Sequence, residues 1–381
     1  MTTIEQAIDT LQKKLNIFIK EYGVDDYSEN EFFIIDEEFI SLQLANLHFE
    51  NFDVLQPVFE IVKSLNLDNC TFNTNNIVEG LKQFTALESI VVRPNSVATI
   101  EAFLQLEMIK ELELYIDYEI IPTNALILDF KALKNIKKIL LHCNNVENDK
   151  MIVFKGAEYL NTLEQLILLC DCIIEELNKF KNLKYLSTES LQLQITHRLE
   201  SLTTLEMKIY KDDYNIYSLE QFPNLENLNI YGGYKINLGE LKKLKILCIS
   251  SVNFDLENTS TFDNLPSLEQ LEFFNSSKIS EIKNLDKLSK LKVLNLSENY
   301  EIENIDGIEN LKNLEYINLY KNNISNISVL NKLPKLKEVN IAGNNITQED
   351  IEKQLEKPEI ANFLYLPHVP EVASNIWNKV N

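Results

Sequence analysis

A short sequence phrase recurs along the chain and constrains its fold more than any other feature. Three segments, which begin at Leu291, Leu314 and Leu336, align without gaps and share the pattern LxxLxLxxNxI. Their matching positions are Leu291, Leu294, Leu296 and Asn299, then Leu314, Ile317, Leu319 and Asn322, then Leu336, Val339, Ile341 and Asn344. A pattern that returns at a regular interval predicts a repeat architecture, in which each unit packs on its neighbours.

The same register continues toward the N-terminus. The further starts are Phe39, Val62, Leu87, Ile109, Ile136, Leu163, Leu183, Leu202, Leu225, Leu244 and Leu268. Fourteen starts run from residue 39 to residue 336, so the mean step is 297/13, about 22.8 residues. Between residues 183 and 244 the pattern is weaker, and the register there stays open by two or more residues.

These residues resemble the leucine-rich-repeat family over about residues 39–346. The phrase LKNLEYINLYKNNISNISVLNKLPKL is most similar to the 22-residue class seen in phosphatase-regulatory and internalin-like proteins. The resemblance implies an α/β solenoid: a horseshoe with a parallel concave β-sheet, a mostly irregular or 3-10 convex side, and helical caps. Those families bind proteins on the concave face, so the resemblance implies a binding function. A recognisable signal peptide and cell-wall sorting segment are missing, which argues against the adhesin role of secreted internalins.

The repeat pattern has a physical reason. The alternation in LxL sends two side chains to the core side of a short strand, and the Asn that follows can bond backbone groups at the turn. One unit buries little apolar surface, but stacked units share a continuous core. About fourteen parallel inner strands are therefore expected, with Leu294, Ile317 and Val339 in one buried row.

An open stack of repeats needs caps, and both ends carry helix signals. Thr2 and Glu5 have capping-box spacing, and apolar residues then recur at helical intervals, which predicts a helix over residues 3–20. Thr347 and Asp350 have similar spacing and predict a helix that runs to about Glu356; Pro370 could begin another short helix that carries Trp377. The predicted domains are an N-terminal helical cap (1–38), the repeat array (39–346) and a C-terminal helical cap (347–381).

Charge and composition restrict the partners. The chain is 45% hydrophobic and 25% charged, which is typical of a globular protein, and 58 Asp and Glu against 36 Lys and Arg give a net charge of −22. Such a surface repels nucleic-acid phosphates and anionic lipids and attracts a basic protein. The sequence thus predicts a basic protein partner, no nucleic acid and no membrane, while the oligomeric state stays open.

The chain shows no catalytic signature such as GxSxG, HExxH, a P-loop or GxGxxG. The densest metal-like group is His142, Cys143, Cys170 and Cys172, and ordinary buried cysteines are the better interpretation of it. Five cysteines without CxxC spacing suit reduced thiols, and the N-terminal sequence lacks a basic start followed by an apolar run. We expect a cytoplasmic protein that is not an enzyme and uses no metal or cofactor.

The repeat register also selects the side chains of the concave face, because positions three, five and seven point away from the core. Aromatic side chains supply large contact areas at interfaces. The predicted partner-binding aromatics are Tyr231, Phe274, Tyr316 and Tyr320, with Tyr115 and Tyr185 in addition, and the predicted attracting carboxylates are Glu113, Glu206 and Glu272. Leu140, Ile167 and Leu169 form a second apolar patch, unless the two 27-residue repeats shift register and turn them inward.

The sequence therefore favours a non-catalytic leucine-rich-repeat protein that binds a basic partner on its concave face, as an inhibitor or immunity-type neutraliser. One alternative is a regulatory or scaffolding subunit of an enzyme, and another is an enzyme with a repeat-borne active site. Repeat surfaces are specified residue by residue, so the pattern does not name the partner.

Overall fold

The computed structural model of the chain forms two compact units, residues 1–201 and residues 202–381. The residues that it describes are 3–22, 29–144, 152–170, 172–174, 177–189, 198–209, 217–232, 236–250, 262, 264–275 and 285–362. Each unit has a parallel sheet of inner strands, one per repeat, with a buried apolar core on one side.

Unit 1 contains three helices and fourteen strands within its described ranges. In chain order they are α1 (Ile4–Leu15), β1 (Lys20–Glu21), β2 (Glu31–Ile34), β3 (Ile40–Ala45), β4 (His48–Phe49), β5 (Val62–Asp68), β6 (Thr71–Phe72), α2 (Ile77–Leu81), β7 (Ser89–Val92), α3 (Val97–Phe103), β8 (Glu111–Asp117), β9 (Leu126–Asp129), β10 (Lys138–Asn144), β11 (Ile152–Lys155), β12 (Gln165–Leu169), β13 (Cys172–Ile174) and β14 (Tyr185–Thr188).

Unit 2 has shorter inner strands toward its end. Its described elements are β15 (Thr204–Ile209), β16 (Tyr217–Ser218), β17 (Asn227–Gly232), β18 (Ile236–Asn237), β19 (Ile246–Ser250), β20 (Gln270–Phe274), β21 (Val293–Asn295), β22 (Tyr316–Asn318), β23 (Glu338–Asn340), α4 (Gln348–Gln354) and β24 (Ala361–Asn362).

The inner strands pair in the register that the repeat pattern predicts. The third residues of successive repeats lie side by side in unit 1 as Ser41, Ser64, Ser89, Glu111, Lys138, Gln165 and Tyr185. The corresponding row in unit 2 is Thr204, Asn227, Ile246, Gln270, Val293, Tyr316 and Glu338. The fourteen predicted inner strands are therefore confirmed, seven in each unit, and the register from β15 to β19 is no longer open.

The core row and the turn asparagines also follow the prediction. Leu294, Ile317 and Val339 are register partners and are at most 3% exposed. The Nδ2 group of Asn322 donates to the Leu319 carbonyl of its own repeat (2.8 Å) and to the Leu296 carbonyl of the repeat before (2.9 Å). Because each such Asn joins two repeats at the turn, it holds the stack together where the strands end.

The N-terminal cap differs from the prediction in two ways. Helix α1 begins at Ile4, and its capping box is formed by Thr3 and Gln6, so the assignment to Thr2 and Glu5 was wrong. The helix also ends at Leu15, and the short strands β1 and β2 follow it: β2 pairs antiparallel with β3, and β1 pairs with β2. The edge of the first inner strand is thus paired with β2, while the helix packs against the 3-10 segment Asp53–Val58.

At the other end, the capping box of Thr347 and Asp350 is confirmed, and α4 runs to Gln354. Strand β24 then adds to β23 in parallel. Pro370 and Trp377 lie outside the described residues, and the three domain boundaries stay a prediction.

The outer side of unit 1 carries more regular structure than the irregular or 3-10 segments expected. After each of three consecutive inner strands the chain forms an outer strand, and β9, β11 and β13 pair in parallel. Strands β9 and β11 belong to the two 27-residue repeats, and β13 belongs to the 20-residue repeat that follows them. Stacking then brings their backbone groups into pairing distance.

Candidate binding surface

The side of each inner sheet that faces away from the core is the open face, the face that the sequence predicts to be concave. Its side chains form three rows, named here row three, row five and row seven after the repeat positions. Unit 2 carries six of the nine predicted binding residues on this face: Tyr231, Phe274, Tyr316, Tyr320, Glu206 and Glu272.

Row seven of unit 2 alternates aromatic and serine side chains. Tyr231, Ser250 and Phe274 are register partners on β17, β19 and β20. The row continues through Ser297 to Tyr320, where the Glu298 N–H donates to the Tyr320 carbonyl across 2.7 Å. Since neighbouring strands lie about 4.8 Å apart, the three aromatic residues stand at intervals of about 10 Å. All three are half-buried.

Row five is polar but largely buried, because it lies between the larger side chains of rows three and seven. Its members from β15 to β23 are Glu206, Asn229, Cys248, Glu272, Asn295, Asn318 and Asn340. Asn295, Asn318 and Asn340 each accept a hydrogen bond from the backbone N–H two residues further on, at 3.0 to 3.1 Å. These three amides therefore hold the strand ends.

Glu272 is 7% exposed and accepts hydrogen bonds from the side-chain amides of Gln270 and Asn295. Burial raises its pKa above the usual value of 4.5, although both hydrogen bonds act in the opposite direction. Burial therefore disfavours the negative charge that the sequence assigns to this carboxyl. Burial also raises the pKa of Cys248, with Glu272 and Glu206 as smaller causes.

Tyr231 lies in the field of the same groups. Burial is the first cause of its raised pKa, and the charges of Cys248, Glu206 and Glu272 add to the effect. Its phenol thus stays neutral and can donate a hydrogen bond. The predicted Tyr231, Glu206 and Glu272 are therefore brought together in one place.

Row three borders a groove of about 330 Å³ that the sequence interpretation missed. Its rim is a ladder of alternating charge at position two of successive repeats: Glu226 with Lys245 (2.7 Å), Glu269 with Lys292 (2.7 Å) and Glu315 with Lys337 (2.5 Å). Ile246, Val293 and Tyr316 contribute apolar lining. The alternation of Glu and Lys at one repeat position is the sequence signal that would have found it.

Two of the four predicted anchors carry a lysine over the ring. Lys321 Nζ lies 5.0 Å from the Tyr320 ring centroid, and Lys337 Nζ lies 5.6 Å from that of Tyr316. An incoming cation would meet a positive charge at both rings. Tyr231 and Phe274 are therefore better suited to contact the cations of a basic partner, whereas Tyr316 and Tyr320 are suited to its apolar groups.

The other three predicted residues lie in unit 1. Glu113 forms an ion pair with Lys138 (2.9 Å), which reduces its attracting field. Tyr115 stacks edge-on with His142, with ring centroids 5.4 Å apart, and Tyr185 is half-buried in row three. Glu113, Tyr115 and Tyr185 therefore all lie on the open face of unit 1.

The apolar patch in unit 1 lies on the open face. Leu140 is the register partner of Ile167, and Leu169 that of His142, while the alternate residues of both strands point into the core. The alternative that the long repeats turn this patch inward is therefore wrong.

Nothing in the described ranges forms a group of three or more His, Cys, Asp or Glu side chains placed to hold a metal ion. Cys143 and Cys170 are buried cysteines, and the side chain of Cys172 lies outside the description. The expectation of no metal stays a prediction. None of the described helices is long and apolar enough to cross a membrane.

The strand register and the turn asparagines have the pattern of leucine-rich repeats, and a sequence comparison agrees with this pattern over one part of the chain. A family model described as two copies of a leucine-rich repeat matches residues 312–354. Repeats of this kind commonly mediate protein–protein interaction and typically form non-catalytic scaffolds. No curated protein matches the sequence significantly.

Among solved structures the chain is similar to an internalin from Listeria monocytogenes, at 21% identity and a TM-score of 0.48, over 75% of this chain and 83% of that one. A leucine-rich-repeat protein of Leptospira interrogans has 18% identity and a TM-score of 0.44, over 95% of this chain and 99% of that one. The mouse RP105/MD-1 complex gives 16% identity and a TM-score of 0.46, over 82% and 67%.

Proposed function

We propose that this chain is a non-catalytic binding protein that engages a basic protein partner through the open face of unit 2. The observation that carries the proposal is row seven, where Tyr231, Phe274 and Tyr320 stand half-buried at intervals of about 10 Å. Aromatic side chains held by neighbouring strands lose little conformational freedom on binding and bury large areas, which is the usual chemistry of interface hot spots.

The net charge supports the basic character of the partner. An excess of 22 negative charges attracts a cationic protein and speeds its encounter. Binding by such a face would block whatever surface of the partner it covers, so an inhibitor or neutraliser in the cytoplasm is the role that we propose. The carboxylates contribute mainly to encounter, and the aromatic residues to the lifetime of the complex.

Site-directed photo-crosslinking in the full chain tests this proposal. The photoreactive amino acid p-benzoylphenylalanine replaces Phe274 or Tyr320, and in a control it replaces Tyr159, which is 48% exposed on a 3-10 turn of unit 1. After irradiation in lysate, cross-linked proteins are identified by mass spectrometry.

The expected result is one basic protein captured at both row-seven positions and not at residue 159, with less capture at high salt. Capture of an acidic protein, or equal capture at all three positions, would overturn the proposal.

A further inference from the structure

One buried amide of row five has an oxygen without a partner. Asn229 is 6% exposed, and its Nδ2 group donates to Glu206 Oε1 across 3.0 Å, which fixes the orientation of the amide. Its Oδ1 atom has no hydrogen-bond partner among the described residues. A buried acceptor without a donor costs free energy, so it calls for an explanation.

The strand around Asn229 explains why its oxygen differs from those of the later repeats. Asn295, Asn318 and Asn340 end their strands and accept a backbone N–H from two residues further on. Strand β17 instead continues to Gly232, and Tyr231 is paired in register with Lys208 on one side and Ser250 on the other. The Tyr231 N–H group, which would be the corresponding donor to Asn229 Oδ1, therefore lies within the strand pairing of the sheet.

The surroundings of this oxygen are suited to a positively charged donor. Glu206 lies next to Asn229 in row five, and Glu272 follows two strands further along the row, beyond Cys248. The Tyr231 phenol lies within the electrostatic influence of both carboxyls. Within the described part of the chain, no lysine or arginine forms an ion pair with Glu272.

We propose that Asn229, Glu206 and Tyr231 form a recess that accepts one guanidinium group, presented by an arginine of the protein partner. The guanidinium would donate to Asn229 Oδ1 and Glu206 while its plane packs on the Tyr231 ring. An arginine suits this set better than a lysine, because its five N–H groups lie in a plane that can bond two acceptors and stack on an aromatic ring at once. The identity of the donor as part of a protein rests on the proposed function above.

The test uses three short peptides on the full chain: acetyl-Gly-Arg-Gly-amide, the same peptide with lysine, and the same peptide with citrulline. Citrulline matches arginine in shape but carries no charge. Affinities are measured by isothermal titration calorimetry at low ionic strength for the unchanged protein, for Asn229→Leu and for Glu206→Gln. Glu111→Gln removes an exposed carboxylate of row three in unit 1 and serves as the control.

We expect the arginine peptide to bind about tenfold more tightly than the citrulline peptide, and each of the two recess variants to weaken it about tenfold. Glu111→Gln should leave the affinity unchanged. Equal binding of arginine and citrulline, or of arginine and lysine, would overturn the assignment of a guanidinium. Equal affinity in the folded recess variants would overturn the location.

A stability measurement separates a binding role of Asn229 from a structural one. Asn229→Leu removes the costly unpartnered oxygen together with one hydrogen bond to Glu206, so the two effects should largely cancel and the Tm should change little. A fall of more than about 5 °C would show that the amide serves the fold and would contradict the proposal.

The two proposals can fail separately. If the peptides fail these criteria while residues 274 and 320 still capture a basic protein, only the recess is wrong. If the peptides behave as expected while cross-linking fails its own criteria, the recess stands and the proposed partner surface does not.

Discussion

At the scale of single residues, Glu272 shows what a buried carboxyl does to stability. It is 7% exposed, and its two amide donors do not offset the loss of water, so its pKa is raised above 4.5. The folded state therefore binds a proton more tightly than the unfolded state. The free energy of unfolding falls as the pH rises from about 4.5 through the raised pKa, and the penalty is complete above it.

Replacement of Glu272 by glutamine should remove this charge penalty and keep the shape of the side chain, with one of the two accepting oxygens retained. We expect Glu272→Gln to raise the urea midpoint at pH 7 and to change it much less at pH 4, where the native carboxyl is already protonated. Glu111→Gln, at an exposed position, should show no such difference. The same gain at both pH values would contradict the effect of burial on Glu272.

A second prediction at this scale concerns the core row. Ile317 is 3% exposed between Leu294 and Val339, so Ile317→Ala should lower the free energy of unfolding by about 2 to 4 kcal/mol through lost burial and a cavity. Ile127, which is 50% exposed, provides the matched control, and Ile127→Ala should cost far less. Denaturant melting measures both, and a loss near zero at Ile317 would rule out its place in the core.

At the scale of elements, the sequence predicts the structure that a single repeat specifies. It does not predict the contacts that form between two repeats. The inner strands were placed in register because the LxL alternation and the turn Asn specify each strand locally. The outer pairing of β9, β11 and β13 forms between neighbouring repeats, and no single repeat encodes it. The lysines over Tyr316 and Tyr320 likewise depend on side-chain directions that the register does not fix.

The N-terminal helix shows a different limit. Both Thr2-x-x-Glu5 and Thr3-x-x-Gln6 fit a capping box, and the sequence alone cannot rank them. Thr3 is used, and the apolar residues Ala7, Ile8 and Leu11 are then buried. For the candidate surface, the register predicts which residues lie on the open face. It does not predict that the side chains of row five are largely buried.

The prediction for the N-terminal elements concerns their deletion. Removal of residues 1–38 takes away α1, β1 and β2 and exposes the backbone edge of β3, which can then pair with other chains. We expect this truncated chain to aggregate in size-exclusion chromatography with light scattering. The variant Thr3→Ala, which removes only the side-chain cap, should stay soluble and lose about 1 kcal/mol. A monomeric truncation with an unchanged melting curve would mean that these elements do not protect the array.

At the scale of the whole molecule, many charged side chains form ion pairs with their neighbours. The chain as a whole nevertheless carries an excess of negative charge. In the Glu–Lys ladder of unit 2, each lysine forms an ion pair with a glutamate of the neighbouring repeat. Such partly exposed pairs add little stability. The remaining excess gives the net charge of −22, which acts over distances of about 10 Å at moderate salt. We therefore expect charge to govern how fast a partner associates, and the half-buried aromatic residues to govern how long it stays bound.

This division gives the last prediction, made for the partner that cross-linking identifies. Replacing Phe274 and Tyr320 together with alanine should raise its dissociation rate about tenfold or more and change the association rate little, because the lost contacts form only in the bound complex. Replacing Glu113 and Glu272 with glutamine, which leaves Glu206 of the recess in place, should chiefly lower the association rate and its dependence on salt. Tyr300→Ala, at a site 55% exposed in unit 2 and outside row seven, is the control. Surface plasmon resonance at two salt concentrations measures both rates. Unchanged kinetics in both folded variants would place the partner on another surface of the chain, whereas the expected split would assign encounter to the carboxylates and retention to row seven.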